Sequence, residues 1–263
     1  AMTSSVRRAV CVALCLLASA ASADALSLHL DDLTWPELRD RIAAGTTVVL
    51  VPIGGTEQNG AHMALGKHNV RVRLLAERIA KKLGNAIVAP VVAYVPEGHI
   101  DPPTGHMRWP GTITVPESAF EASLESAARS LRRAGFAHVV LLGDSGDNRK
   151  SLGRVAARVP GVFSAPEYYR ASTADLAAAL RARGFTDAQI GRHAGLADTS
   201  LMLALDPSLV RSDRLAKSQG EGADGDASLA QAMLGNEAVD RIVSVTVEAI
   251  RARMQASNGK PQS

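Results

Sequence analysis

Apolar residues fall into two rhythms along this chain. Thr47 to Ile53 (TVVLVPI) is a nearly unbroken β-branched and apolar run, the pattern of a strand buried on both faces. Ala86 to Val92 and His138 to Leu142 (HVVLL) repeat it, and Val162-Phe163 is a shorter candidate. Between these runs the spacing becomes helical. Pro36 suits a first helical turn, with Leu38, Ile42 and Ala43 on one face before a stop at Gly45. Helices are predicted over Asn69 to Leu83, ended by Gly84, and from Pro116-Glu117 to Ala134, ended by Gly135. Others follow over Asn148 to Val159 and Thr199 to Leu205, the latter stopped by Asp206-Pro207. Thr186-x-x-Gln189 has the form of a capping box. Gln219 to Gly225 reads as an exposed loop, Ala227 to Met254 as one long helix or two pieces, and 256–263 as a flexible tail.

Strands alternating with helices predict an α/β fold: a three-layer α/β/α sandwich around a mostly parallel sheet, in a single domain over 24–255. Ligands of such sheets collect beyond the carboxyl ends of the strands. The segments after TVVLVPI and after HVVLL are therefore the places to look for chemistry.

Residues 1–23 are set aside from the fold. Arg7 and Arg8 precede an apolar run over Ala9 to Ala18, and Ala21-Ser22-Ala23 supplies an A-x-A cleavage site. The run is too short for a span of about 20 residues, so a cleaved export signal and a periplasmic or secreted protein without a stable membrane anchor are expected. Its loss would take both cysteines, Cys11 and Cys15, and lower Lys+Arg from 29 to 27 against 26 acids. Any metal would then depend on nitrogen and oxygen ligands. No dense basic stripe with interleaved aromatics calls for nucleic acid.

The loop after TVVLVPI reads Gly54-Gly55-Thr56-Glu57-Gln58-Asn59-Gly60-Ala61-His62-Met63-Ala64-Leu65-Gly66-Lys67-His68. It resembles the signature of the creatininase family, G-S/T-E-Q-H-G-P-H-L-P-L-x-T-D. Three further segments match that family in order. His106-Met107-Arg108-Trp109-Pro110-Gly111-Thr112 is similar to H-x-x-F-P-G-T. Gly143-Asp144-Ser145-Gly146-Asp147-Asn148 stands where N-G-H-x-x-N is usual, and His193-Ala194-Gly195-Leu196-Ala197-Asp198-Thr199-Ser200 resembles H-A-G-x-x-E-T-S.

The resemblance implies a zinc or manganese amidohydrolase that cleaves a C–N bond in a small amide or lactam, assembled as a homo-oligomer. It implies metal ligands at Glu57, His68, Asp147 and Asn59, with Asp144 and His62 in reserve. His193 is implied as the proton shuttle, with Asp147 beside it, and His106, Trp109, Tyr168, Tyr169 and Ser145 as substrate contacts. Several ligand positions differ in type: Asn59 and Ser145 stand where the family has His, and His68 stands where it has the Asp that bridges two metals. A neutral imidazole cannot bridge two cations about 3.5–4 Å apart, so a modified or single-metal site is expected. Creatinine is not the expected substrate, because Tyr168 and Tyr169 occupy the stretch that carries tryptophans in creatinine-cleaving members. Ser145 beside Asp144 is a minor nucleophile candidate. The competing expectation is a metal-free small-molecule binding protein on the same scaffold, or an idle subunit of an assembly.

Overall fold

In the computed structural model, which describes residues 27–217 and 220–258, four parallel strands form one sheet. They are β1 (Val48–Ile53), β2 (Ala86–Val88), β3 (His138–Gly143) and β4 (Val162–Ser164), in the order β2-β1-β3-β4. Val48 to Ile53 pair residue for residue with His138 to Gly143, so the central strands end level with each other. The expected export signal and its two cysteines lie outside the described residues.

Alternation along β1 builds two cores. Val48 and Leu50 point to one face, where they meet Val72, Leu75 and Ile79 of α2 (Lys67–Leu83) and Val239, Ile242 and Ile250 of α9 (Ala232–Asn258). Val49, Val51 and Ile53 point to the other, against Phe120, Leu124 and Ala128 of α3 (Glu117–Ala134) and Leu152 and Val155 of α4 (Arg149–Arg158). Helices on both faces of a parallel sheet make the expected three-layer architecture. Each buried Val, Leu or Ile stabilises it by roughly 1.5–3 kcal/mol. The first helix, α1 (Trp35–Ala43), is closed by a Thr34/Glu37 capping box and lays Leu38 and Ile42 on the second core.

Several elements differ from the sequence reading. The second strand stops at Val88, because Pro90 has no N–H to give the ladder; the chain rejoins β1 only where Val92 donates to Pro52 O. The stretch around Pro166 is helical: α5 (Pro166–Arg170), a π-helical turn over Ala171–Asp175, and α6 (Leu176–Ala182). A short α7 (Asp187–Ile190) begins at the expected Thr186/Gln189 capping box, and α8 (Leu196–Leu205) starts three residues before Thr199. Most consequential, α2 begins at Lys67 rather than Asn69, which puts Lys67 and His68 on its first turn at the sheet's carboxyl end. The last helix runs to Asn258, and the rest of the expected tail lies outside the described residues.

Candidate active site

The loop leaving β1 is held tightly against α2. Gly55 N donates to Asn69 Oδ1 at 3.0 Å, and a Cβ on Gly54 would lie 2.2 Å from that same oxygen, so only glycine fits. Glu57 is thereby delivered, 3% exposed, to a hollow of about 180 Å³. Lys67, His68 and Arg71 enter from α2, His106 from a 3-10 turn at Gly105–Arg108, Asp144 and Ser145 from the end of β3, and His193 and Asp198 from the start of α8. Ala194 takes a left-handed backbone at φ 55°, unusual for a residue with a side chain, and its N–H is anchored on Asp198 Oδ2 at 2.9 Å. This bend sits directly beside the His193 ring.

One side of the hollow is a buried ionic cluster. His68 donates from Nε2 to Glu57 Oε1 at 2.7 Å and from Nδ1 to Asp144 Oδ2 at 2.6 Å. Carboxylates only accept, so each acid takes up one ring nitrogen, and Arg71 Nη2 lies 3.2 Å from Nδ1 as well. Arg71 donates from Nε to Asp144 Oδ2 at 2.8 Å and from Nη1 to Asp198 Oδ1 at 2.6 Å. Lys67 Nζ donates to Asp198 Oδ2 at 3.1 Å. Burial works to raise all three carboxyls, but the neighbouring cations outweigh it and hold them below the usual carboxylate range. His68 and Lys67 act on Glu57, Arg71 and His68 on Asp144, and Lys67 and Arg71 on Asp198.

The opposite corner is made of imidazoles. His193 Nε2 donates to Gln58 O at 2.9 Å, which leaves the Nδ1 lone pair facing Glu57 Oε1 at 3.8 Å. His106 Nε2 faces Glu57 Oε2 at 3.5 Å, and the two rings lie 4.3 Å apart. Glu57, His106 and His193 each offer one ligand atom within 4.8 Å of the others, the group among the described residues that can hold a metal ion. Two imidazoles and one carboxylate form a donor set that suits zinc, with further positions open to water.

The fit can be tested through Gln58. Its Oε1 accepts from Gly60 N at 2.9 Å, and its Nε2 donates to Gly222 O at 2.9 Å and to His106 Nδ1 at 2.8 Å. The Gly60 and Gly222 bonds fix which end of the amide is which. His193 is thus already in the ligating tautomer, its other nitrogen braced by a carbonyl. His106 offers Nε2 only once the Gln58 amide turns over. The residues fit one ion, at that cost. Burial and the Lys67 charge push the His193 pKa down to about 4, so its ring stays neutral, as a ligand must be.

The other expected site residues take varied places in and around the hollow. Asp144 is fully buried, and its oxygens are taken by His68, Arg71 and Tyr168. His68 lines the hollow, and its two nitrogens pair with Glu57 and Asp144. Asn59 braces the loop by donating to Glu57 O and Ala64 O, and His62 is buried against Thr199 Oγ1 at 2.9 Å. Tyr168 is wholly buried and donates to Asp144 Oδ1 at 2.6 Å, supporting the site from beneath, whereas Tyr169 lines the hollow as expected. Trp109 is 39% exposed and does not line it. Ser145 does line it, but neither His193 nitrogen pairs with its hydroxyl. Asp147 lies in the 3-10 turn Gly146–Asn148, and its side chain is outside what the structure describes. The described part of the expected exposed loop, 220–225, is exposed at Gly220, Glu221 and Asp224 and also closes the site, through Gly222 on Gln58 and the backbone pairing of Asp224 with His193.

Sequence reading missed Gln58, Lys67, Arg71 and Glu97. A signal existed for two of them. Lys67, Arg71, Leu75 and Ile79 recur every four residues and share the core face of α2, where cations are rarely buried unless paired. Glu97, 3% exposed, comes from a distant loop to pack on Gly55, where an added Cβ would lie 2.6 Å from its Oε1, which no local pattern reveals.

Known proteins resemble this chain in sequence and fold. A family model described as creatinine amidohydrolase matches residues 31–250. A creatinine amidohydrolase of Pseudomonas putida is 30% identical over 206 residues, covering 72% of this chain and 76% of that protein. A manganese form of creatininase superposes with a TM-score of 0.71 at 26% identity, and a zinc–zinc form of a creatininase variant with 0.69 at 26%; each match covers 86% of this chain and 98% of the other. With the family model spanning most of its length and the fold agreeing, the chain belongs to the creatininase family of hydrolases.

Proposed function

We propose that the protein hydrolyses a C–N bond in a small amide or lactam, with one divalent ion, zinc or manganese, held by Glu57, His106 and His193. The convergence of those three side chains beyond the carboxyl ends of β1 and β3 carries the reading. A bound ion would supply a water whose pKa falls toward neutrality. The chain's own residues do the positioning. Gln58 O orients the His193 ring, and His68, anchored on Asp144, fixes the Glu57 carboxylate.

A second cavity of about 310 Å³ adjoins the first, sharing Tyr169, Thr173, Arg192, His193 and Asp198 with it. Ala174, Ala177, Ile190 and Ala197 give it an apolar wall. It suits an apolar group next to the scissile bond, and the substrate class follows: an amide with a hydrophobic substituent. Export through residues 1–23 and self-association belong to the same proposal. The first rests on the leader pattern and the second on the family resemblance. Among the described residues, no helix is long and apolar enough to cross a membrane.

One observation favours a metal-free binding protein instead: Lys67, His68 and Arg71 already neutralise Glu57, Asp144 and Asp198. Assay of the zinc- or manganese-loaded protein on acyl amides and lactams separates the two. Turnover that falls at least about a hundredfold in His106→Ala supports the hydrolase. No turnover by the loaded wild type on any member supports the binder.

A further inference from the structure

We infer that Lys67 is a catalytic residue whose ammonium holds the substrate carbonyl oxygen, in the place where a second metal would otherwise supply positive charge; this rests on the hydrolase reading above. Lys67 is 0% exposed and lines the same hollow as Glu57, His106 and His193. An ammonium carries three N–H donors. Among the described residues Nζ makes one hydrogen bond, to Asp198 Oδ2 at 3.1 Å. Asp198 does not depend on it: the carboxylate also receives Arg71 Nη1 at 2.6 Å and Ala194 N at 2.9 Å. A buried cation is costly unless its donors are used. Arg71 and His68 line the same hollow, but Arg71 is spent on Asp144, Asp198 and His68, and His68 on Glu57 and Asp144, so the unspent donors there belong to Lys67.

The surroundings fix where that charge sits. Asp198 is itself pinned from two other sides, so Nζ cannot follow a mobile partner out of the site. Lys67 stands on the first turn of α2, whose first N–H groups also point toward the sheet's carboxyl end. A fixed cation in a water-poor hollow stabilises a developing oxyanion more than the same charge in solvent. In the reaction, the oxygen of water bonds to the carbonyl carbon and the π pair of the C=O moves onto oxygen, where Lys67 Nζ donates to it. On collapse the C–N bond breaks, its pair leaves with nitrogen, and the proton released by the water ends on that nitrogen. Lys67 is unchanged at the end, and no reactant beyond amide and water is needed.

The test compares the zinc-loaded wild type with Lys67→Met and Lys67→Arg, using circular dichroism melting and zinc content to confirm that each variant is folded and loaded. In Lys67→Met, kcat on an amide that the wild type cleaves is expected to fall about 10²- to 10³-fold, with KM changed by less than about threefold, and Lys67→Arg is expected to recover part of the loss. A kcat within about threefold of wild type in Lys67→Met overturns the inference and leaves the hydrolase reading standing. A second measurement judges Lys67 separately from turnover. Methylphosphonate, a tetrahedral anion shaped like the oxyanion, is titrated calorimetrically into wild type and Lys67→Met, each with and without zinc. Binding at least about tenfold weaker in Lys67→Met in both metal states supports the assignment; equal binding by the two proteins contradicts it. Absence of wild-type turnover on every amide, with the phosphonate difference present, counts against the hydrolase reading alone.

Discussion

The protein contains two sets of arginine–carboxylate pairs with nearly the same geometry and opposite surroundings. Between α3 and α4, Arg154 and Arg158 reach Glu121 at 2.6 and 2.8 Å, and Arg158 reaches Glu125 at 2.8 Å, with the arginines 42–45% exposed. On α2, Arg71 reaches Asp144 at 2.8 Å and Asp198 at 2.6 Å, with its side chain 2% exposed. The distances are alike, so distance does not set the difference. Water screens the first set and offers each partner an alternative. The second set has no such alternative, and each charge there depends on the others. Proteins can dispense with the first kind of pair, while the second kind fixes a site.

The comparison breaks most sharply at Arg71. Arg71→Met leaves Asp144 and Asp198 buried with fewer cations, and is expected to cost about 3–5 kcal/mol in urea unfolding. A loss under about 1 kcal/mol would mean that the cluster behaves like a surface network. A smaller effect comes from pH. His193 has a folded-state pKa near 4, below its ordinary value of 6.5. The unfolded chain therefore binds the extra proton between those values, and stability falls as pH drops from about 6.5 to about 4. For His193 the fall is up to about 3 kcal/mol. His62 and His138, also shifted down chiefly by burial, add the same sign. Chelator-treated protein melted across this range should show the slope, and His193→Gln should flatten part of it. The depressed carboxylates Glu57, Asp144 and Asp198 contribute stability present above about pH 4, which is lost only as pH falls through their still lower folded values. The smallest effect is expected on the surface: Arg154→Ala should leave the unfolding midpoint unchanged within error at 0.15 M salt, and a clear shift would show that the exposed ladder is coupled after all.

The same contrast explains what the sequence could reveal. Strands and helices were legible because apolar periodicity is local: TVVLVPI, HVVLL and the α3 pattern each announce a buried face without reference to the rest of the chain. The start of α2 was not, because Gly66 at its N-cap gives no side-chain hydrogen bond and so none of the usual polar signal. The family resemblance singled out the segments that carry Glu57, His106 and His193, which the fold brings together. It could not show that Asp144 and His68 are spent on each other, or that Tyr168 points beneath the site rather than into it. Those facts depend on pairings 24 and 76 residues apart. Residue type marks a candidate ligand, but only geometry shows whether its lone pairs are free. His68 illustrates this best: an imidazole on the first turn of α2 whose two nitrogens the fold sets against Glu57 and Asp144.

The most direct test is a count of bound metal. Full-length protein is loaded with excess zinc or manganese, dialysed, and analysed by inductively coupled plasma mass spectrometry beside Glu57→Gln, His106→Ala and His68→Gln. One ion per chain is expected in the wild type, lost in Glu57→Gln and His106→Ala, and retained, with weaker affinity, in His68→Gln. Two ions per chain, or one that persists without Glu57 and His106, would contradict a single site built from Glu57, His106 and His193.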